Sequence, residues 1–202
     1  MELAWGIYTS TSVMRSTMLV SSFFLLKLLI LYVLSEKIMR RIGLLSDTHG
    51  NLDKRIFNFF ENVDEIWHAG DIGDLVTAES LAGFRYFRAV TGNIDGLELR
   101  KAYPADLRFL CEEVDVRMIH SGGYPGHYNP GIKRELADHP PKLFICGHSH
   151  ILKIIYDTNF DLLFLNPGAA GNFGFHKFRT ALRFVIDKTE IREMEIWQSE
   201  KF

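Results

Sequence analysis

The sequence predicts an α/β domain in which two mixed β-sheets can stack face to face with helices on their outer sides. Three observations predict it. From residue 41 onward, short apolar runs alternate with amphipathic stretches, the pattern of a layered α/β domain. Helical stretches cluster early and strand-like runs late. No internal repeat or low-complexity linker divides the chain.

Taken in order, residues 41–47 read as a buried strand. Residues 51–61 read as a helix with Leu52, Ile56, Phe59 and Phe60 on one face. Residues 65–69 are a short strand, and 74–82 a helix that Gly83 should close in the left-handed conformation. Residues 84–90 are a third strand. Residues 107–114 and 116–121 read as a hairpin turning at Asp115. A loop rich in Gly, Pro and Tyr (122–130) leads to a helix at 131–138, stopped by His139-Pro140-Pro141. Strands follow at 143–146, 152–156, 162–166, 180–186 and 190–196, the last two joined by a turn at Asp187-Lys188.

With 202 residues, 47% hydrophobic and 24% charged, the chain carries enough apolar material for one domain with a sizeable core. A net charge of −2 and the lack of a basic stripe argue against stable nucleic-acid binding. Cys111 and Cys146 sit in apolar runs without zinc-site or disulfide spacing and read as core residues in a reducing, cytoplasmic compartment.

Residues 1–38 form an apolar extension of different character. The run 18–34 is short for a membrane span and is interrupted by Lys27. A secretory signal fits poorly, since only Arg15 precedes the run and no small-residue cleavage site follows. Two readings stand. One is a membrane anchor, with Lys37, Arg40 and Arg41 keeping the domain on the cytoplasmic face. The other is a non-native upstream segment, with the working domain at 39–202. Membrane contact is expected only under the first.

The chemistry begins where the first strand stops. Asp47 and His49 stand two apart, and residues i and i+2 of an extended segment share a face, so both can reach one ion. Gly50 then lets the backbone turn away. Similar fragments follow later apolar runs: Gly70-Asp71, Gly92-Asn93-Ile94-Asp95, His120-Ser121-Gly122 and Gly147-His148-Ser149-His150. They supply seven candidate ligands, Asp47, His49, Asp71, Asn93, His120, His148 and His150. That mixed oxygen and imidazole set exceeds the needs of one tetrahedral zinc. It suits two ions of higher coordination, such as manganese, iron or zinc. Two such ions can bind a phosphoryl group, acidify a bridging water and drive in-line displacement by the resulting hydroxide. Asp71, between the two sets of ligands in sequence, is the expected bridge.

These fragments, in this order from Met39 to about Asn172, resemble the calcineurin-like metallophosphoesterases, and more closely their small single-domain bacterial and archaeal phosphodiesterase branch. The resemblance implies a four-layer αββα sandwich and hydrolysis of a small phosphodiester or phosphomonoester. It implies two divalent ions, manganese first, with zinc, iron or nickel as alternatives. Asp47, His49 and His150 would hold one ion, Asn93, His120 and His148 the other, and Asp71 both. Asn93 and His120 would bear on catalysis, with Asn93 also against the substrate phosphate. Larger relatives carry a proton-donating histidine after the asparagine, where this chain has Ile94. The same fold also serves as a non-catalytic scaffold in a small retromer subunit whose ligands are partly replaced. Here all seven are kept, which favours a hydrolase.

Other polar residues have bland readings beside functional ones. His68 is a second layer to the metals or a satisfied core histidine. His127 and His139 read as solvated. His176, Lys177 and Arg179 follow the Gly-rich turn at 166–172 and either meet an anion or belong to a solvated loop. Tyr124, Tyr128, Phe173 and Phe175 either line a pocket for an apolar or base-stacking group or belong to the core.

Overall fold

The computed structural model describes residues 39–201, and the run at 18–34 lies outside them. Among the described residues no helix is long and apolar enough to cross a membrane. In the described residues ten strands and four helices follow one another: β1 (Met39–Leu45), α1 (Arg55–Phe59), β2 (Glu65–His68), α2 (Leu75–Phe84), β3 (Tyr86–Ala89), α3 (Leu97–Ala102), β4 (Asp106–Cys111), β5 (Val114–Ile119), α4 (Pro130–Asp138), β6 (Leu143–Ile145), β7 (Leu152–Asp157), β8 (Leu162–Pro167), β9 (Phe178–Asp187) and β10 (Glu190–Glu200). They form two five-stranded sheets, ordered β10-β9-β1-β2-β3 and β4-β5-β6-β8-β7.

Alternation along the strands builds the layers. Ile42 and Leu44 of β1, Trp67 of β2 and Leu182 and Phe184 of β9 meet Val114, Val116 and Met118 of β5 and Leu143 and Ile145 of β6 in one buried cluster between the sheets. The opposite face of the first sheet packs Leu45, Ile66 and Ala181 on Ile56 and Phe60. The outer face of the second packs Phe144 and Phe164 on Leu136 of α4. The result is the expected sandwich, helix layers outside two sheets.

Parallel pairing positions the site. β1, β2 and β3 are mutually parallel neighbours, as are β5, β6 and β8 in the other sheet. Loops leaving the carboxyl ends of parallel strands gather on one rim, the usual place for a ligand crevice in such sheets.

Several boundaries differ from the sequence reading. The first helix is only Arg55–Phe59, because the chain leaves Gly50 through a turn and Asp53 accepts the Arg55 amide at 2.9 Å. Gly83 does not close α2 in the left-handed conformation. The helix runs on to Phe84, whose ring meets Phe57 at 4.9 Å, and Arg85 caps it in an extended conformation. Asp74 is the N-cap, accepting the Thr77 amide at 2.7 Å. The β4–β5 hairpin turns at Glu112-Glu113, not at Asp115, which lies within β5 and pairs with Arg108. Val114 and Val116 both face the core, so the residue between them must face away, and an acidic residue there is a strand residue. The last turn falls at Lys188-Thr189, after Asp187 has ended β9. Helix α3 was missed in the sequence, although Glu98 in its first turn and Arg100 and Lys101 in its last complement the helix dipole.

A chain shortened to residues 39–202 is expected to fold, because both sheets and the four described apolar clusters are assembled from Met39 onward. Circular dichroism and gel filtration of the shortened protein check this. Aggregation, with loss of secondary structure, would show that residues 1–38 complete the core.

Candidate metal centre

All seven candidate ligands meet on that rim, four from the first sheet and three from the second. Asp47 and His49 follow β1, Asp71 follows β2, and Asn93 lies beyond β3. His120 follows β5, and His148 and His150 follow β6. Their ligand atoms form two groups, Asp47 with His49 and His150, and Asp71 with His120 and His148; within each group the atoms lie within 4.8 Å of one another. Asn93 joins the second group, its Nδ2 lying 3.4 Å from Nδ1 of His148.

Asp47 and His49 do fall in one group, as their i, i+2 spacing suggests, but for a different physical reason, and His148 and His150 at the same spacing fall in different groups. The strands have already ended, and Asp47, His49, Asp71, His148 and His150 all sit in the left-handed region, with φ between 49° and 65°. For residues with a Cβ that conformation costs of order 1–3 kcal/mol each and persists only where surroundings enforce it. At Asp47, His49 and Asp71, backbone bonds between the loops after β1 and β2 enforce it. The Asp47 amide donates to the Gly70 carbonyl (3.0 Å), the His49 amide to the Asp71 carbonyl (3.0 Å) and the Gly50 amide to the Ile72 carbonyl (2.8 Å).

The orientation of each donor is also fixed. Oδ2 of Asp47 accepts the His148 amide at 3.1 Å, which leaves Oδ1 pointing inward, 3.2 Å from Nε2 of His150. Oδ1 of Asp71 accepts the Ile94 amide at 3.0 Å, while Oδ2 lies 3.3 Å from Nε2 of His120 and 3.7 Å from Nε2 of His49. Asp71 Oδ2 therefore stands between the two groups, as a bridge must. Nδ1 of His120 is 2.8 Å from the Ala69 carbonyl, so it carries the ring proton and Nε2 presents a lone pair inward.

Asp47, Asp71 and His120 are buried, yet Asp47 Oδ1, His49 Nε2 and His120 Nε2 have no hydrogen-bond partner. Among the described residues no Lys or Arg pairs with Asp47 or Asp71. Two buried carboxylates without a counter-charge are costly unless paired or bound to metal, so the donor set fits divalent cations. Burial alone would raise the Asp71 pKa, but His120, the Ile94 amide and His49 hold it at about 2. Burial lowers that of His49 against the pull of Asp71 and Asp47. Both groups thus favour the deprotonated form a ligand needs.

Close approach explains two glycines. A Cβ on Gly92 would stand 2.1 Å from Asp71 Oδ1, and one on Gly70, whose φ is +92°, 2.5 Å from the His120 ring. Three polar residues to which the sequence reading gives no role hold the loops. Asp95, buried, accepts the amides of Gly92 (2.7 Å) and Gly73 (2.8 Å). Arg100 reaches the carbonyls of Gly92 (2.8 Å) and Asn93 (3.2 Å). Asn166 donates to the Gly147 carbonyl at 2.7 Å. Asp95 stands in the same Gly-Asn fragment as Asn93, which was its only signal.

Of the remaining candidates, His127 and His139 are exposed. Arg179 is buried, ion-paired with Asp53 at 3.0 Å and hydrogen-bonded to Ser199 and the Glu200 carbonyl, so its charge is met within the protein. Tyr128 is core, packed with Phe144, Phe160 and Phe164. Phe173 and Phe175 are exposed beside the centre.

His68 is fully buried and ties the β1 and β2 loops together. The Gly70 amide donates to its Nδ1 (3.2 Å), so its proton is on Nε2, 2.8 Å from the Thr48 hydroxyl, which in turn donates to the Ile72 carbonyl (2.9 Å). Burial lowers its pKa from 6.5 to about 4. The folded value lies below the unfolded one, so this contribution to stability is whole above about pH 6.5 and is lost as pH falls toward 4. At about 1.4 kcal/mol per pKa unit, roughly 3 kcal/mol is at stake. Urea unfolding of chelated protein between pH 7 and 4 should show the fall. His68→Gln, whose amide nitrogen can stand in for Nε2, should flatten it, and an unchanged slope would assign the fall to other groups.

The profile of the calcineurin-like phosphoesterase superfamily domain matches residues 39–189. A probable metallophosphoesterase of Methanocaldococcus jannaschii is 32% identical over 134 residues, covering 63% of this chain and 67% of that protein. Among solved structures, a zinc complex of Vps29 from Entamoeba histolytica superposes with a TM-score of 0.63 at 12% identity, covering 80% of this chain and 99% of that one. An archaeal phosphodiesterase superposes at 0.58 with 22% identity, covering 78% and 99%. The structural likenesses establish the fold, and the matched domain takes in every strand from β1 to β9 and all seven candidate ligands: this chain belongs to the calcineurin-like phosphoesterase superfamily.

Proposed function

We propose that this protein is a metal-dependent phosphodiesterase whose centre holds two divalent ions, manganese first among them. Asp47, His49 and His150 hold one, Asn93, His120 and His148 the other, and Asp71 both. The observation that carries the reading is the set of three buried, unpartnered donor atoms, Asp47 Oδ1, His49 Nε2 and His120 Nε2. Bound there, the ions supply Lewis-acid polarisation of the phosphoryl group and a water acid enough to yield the nucleophile near neutral pH.

The protein's own part is positioning. Asn93, exposed at the mouth, offers its amide to a phosphoryl oxygen. A cleft of about 480 Å³ opens beside it, lined by His148, His150, Ile151, Phe175 and His176 and, among the described residues, without a Lys or Arg. A phosphomonoester dianion would call for more positive charge, whereas the second ester group of a diester suits an apolar wall. The similarity to an archaeal phosphodiesterase points the same way. Vps29 neighbours share the fold, but the complete ligand set favours catalysis over a scaffold.

Metal analysis of purified protein together with hydrolysis of bis(4-nitrophenyl) phosphate tests this. Two ions per chain and turnover abolished by chelator and restored by manganese are expected. No retained metal and no turnover with manganese, zinc, iron or nickel would overturn it.

A further inference from the structure

We infer that residues 171–176 form a stacking subsite for a planar aromatic group, a nucleobase or aryl ring, carried by the substrate; this rests on the phosphodiesterase reading. Phe173 and Phe175 are exposed, Phe175 completely. Yet the segment that presents them is pinned at three points. The Gly171 amide donates to the Asp47 carbonyl at 3.1 Å, Nε2 of His176 to the Gly171 carbonyl at 3.0 Å, and Lys201 Nζ to the Gly174 carbonyl at 2.6 Å. Gly174 (φ +110°) presses against the His150 ring, where a Cβ would stand 2.4 Å from Nδ1. Two phenyl rings are thus held in water by a fixed backbone.

Their neighbours continue the surface. Phe173 lies 4.9 Å from the His49 ring, His49 5.5 Å from His150, and His150 5.2 Å from His176. Phe175, Ile151 and His176 wall the cleft into which His148 and His150 also open. A phosphoryl group at the centre would place its ester substituent against this wall. Stacking needs only a flat π-face, so the subsite accepts bases and aryl rings alike.

Calorimetry on metal-loaded protein tests this with uncleavable ligands: benzylphosphonate, the 5′-phosphonate analogue of adenosine monophosphate, and methylphosphonate. The two aromatic ligands should bind roughly tenfold or more tighter than methylphosphonate. Phe175→Ala and Phe173→Ala should each erode that preference while leaving methylphosphonate affinity and metal content unchanged, and Phe175→Leu should retain only part of it. The tighter of the two aromatic ligands then identifies base or simple aryl ring. An unaltered preference in both alanine variants overturns the subsite, as does an equal loss of methylphosphonate binding. Retained preference in a protein that hydrolyses no phosphodiester would instead leave the subsite standing and sink the phosphodiesterase reading.

Discussion

Replacing Asp71 with Asn is expected to reduce phosphodiester turnover by more than about 100-fold and to lower bound metal by more than the loss of any other single ligand. Changes to residues that merely orient a ligand typically cost 10–100-fold in affinity or activity. Asp71 is more exposed to such loss because its Oδ2 lies between His49 of one group and His120 of the other. The amide is nearly isosteric and Oδ1 can still accept the Ile94 amide, so the loop should keep its shape. What disappears is the negative charge shared by the two groups. His150→Asn, which touches only the first group, is the comparison, with metal content measured by mass spectrometry. Two retained ions and near-normal turnover in Asp71→Asn would withdraw the bridging role.

The second large effect concerns the leaving group. General acid catalysis is typically worth about 10²–10⁴-fold, and it matters more as the departing oxygen becomes more basic. Ile94 has no proton to give, and its backbone amide is already donated to Asp71. His120 donates through Nδ1 to the Ala69 carbonyl and turns the lone pair of Nε2 into the centre, so it has no proton to offer there. His176 donates through Nε2 to Gly171, and its Nδ1 is buried without a partner. Rates across diesters of graded leaving-group pKa should therefore fall steeply, with aryl esters cleaved readily and alkyl esters poorly. Ile94→His, at a half-exposed position beside Asn93, should flatten the slope. A shallow slope in the natural protein would mean that another group, such as His120 or His176, serves as the acid, and would withdraw the role given to Ile94.

The candidate donors were legible because each follows an apolar run whose strand-forming character is plain. The layers were legible for the same reason. Less legible was how the donors converge. Left-handed backbone at Asp47 and His49 is not set by the local sequence, since it is enforced by bonds to the loop after β2. Asp95, Arg100 and Asn166 carry no sequence sign of their roles, because those depend on which carbonyls and amides the fold brings to them. Asp115 misled because an acidic residue between apolar ones reads equally as a turn or as the solvent side of a strand. Glycines at 70 and 92 were visible, but the side chains they make room for were not.

Each group of donors draws on both sheets: Asp47 and His49 with His150, and Asp71 with His120 and His148. An ion in either group would clip the two sheets together at their rim, across the apolar layer between them. Separating the sheets would then require ligand bonds to break first, a barrier that burial of side chains alone does not impose. The lifetime of the folded protein in the presence of proteases would accordingly follow ion occupancy, and chelation would shorten it well before it changed the resting shape.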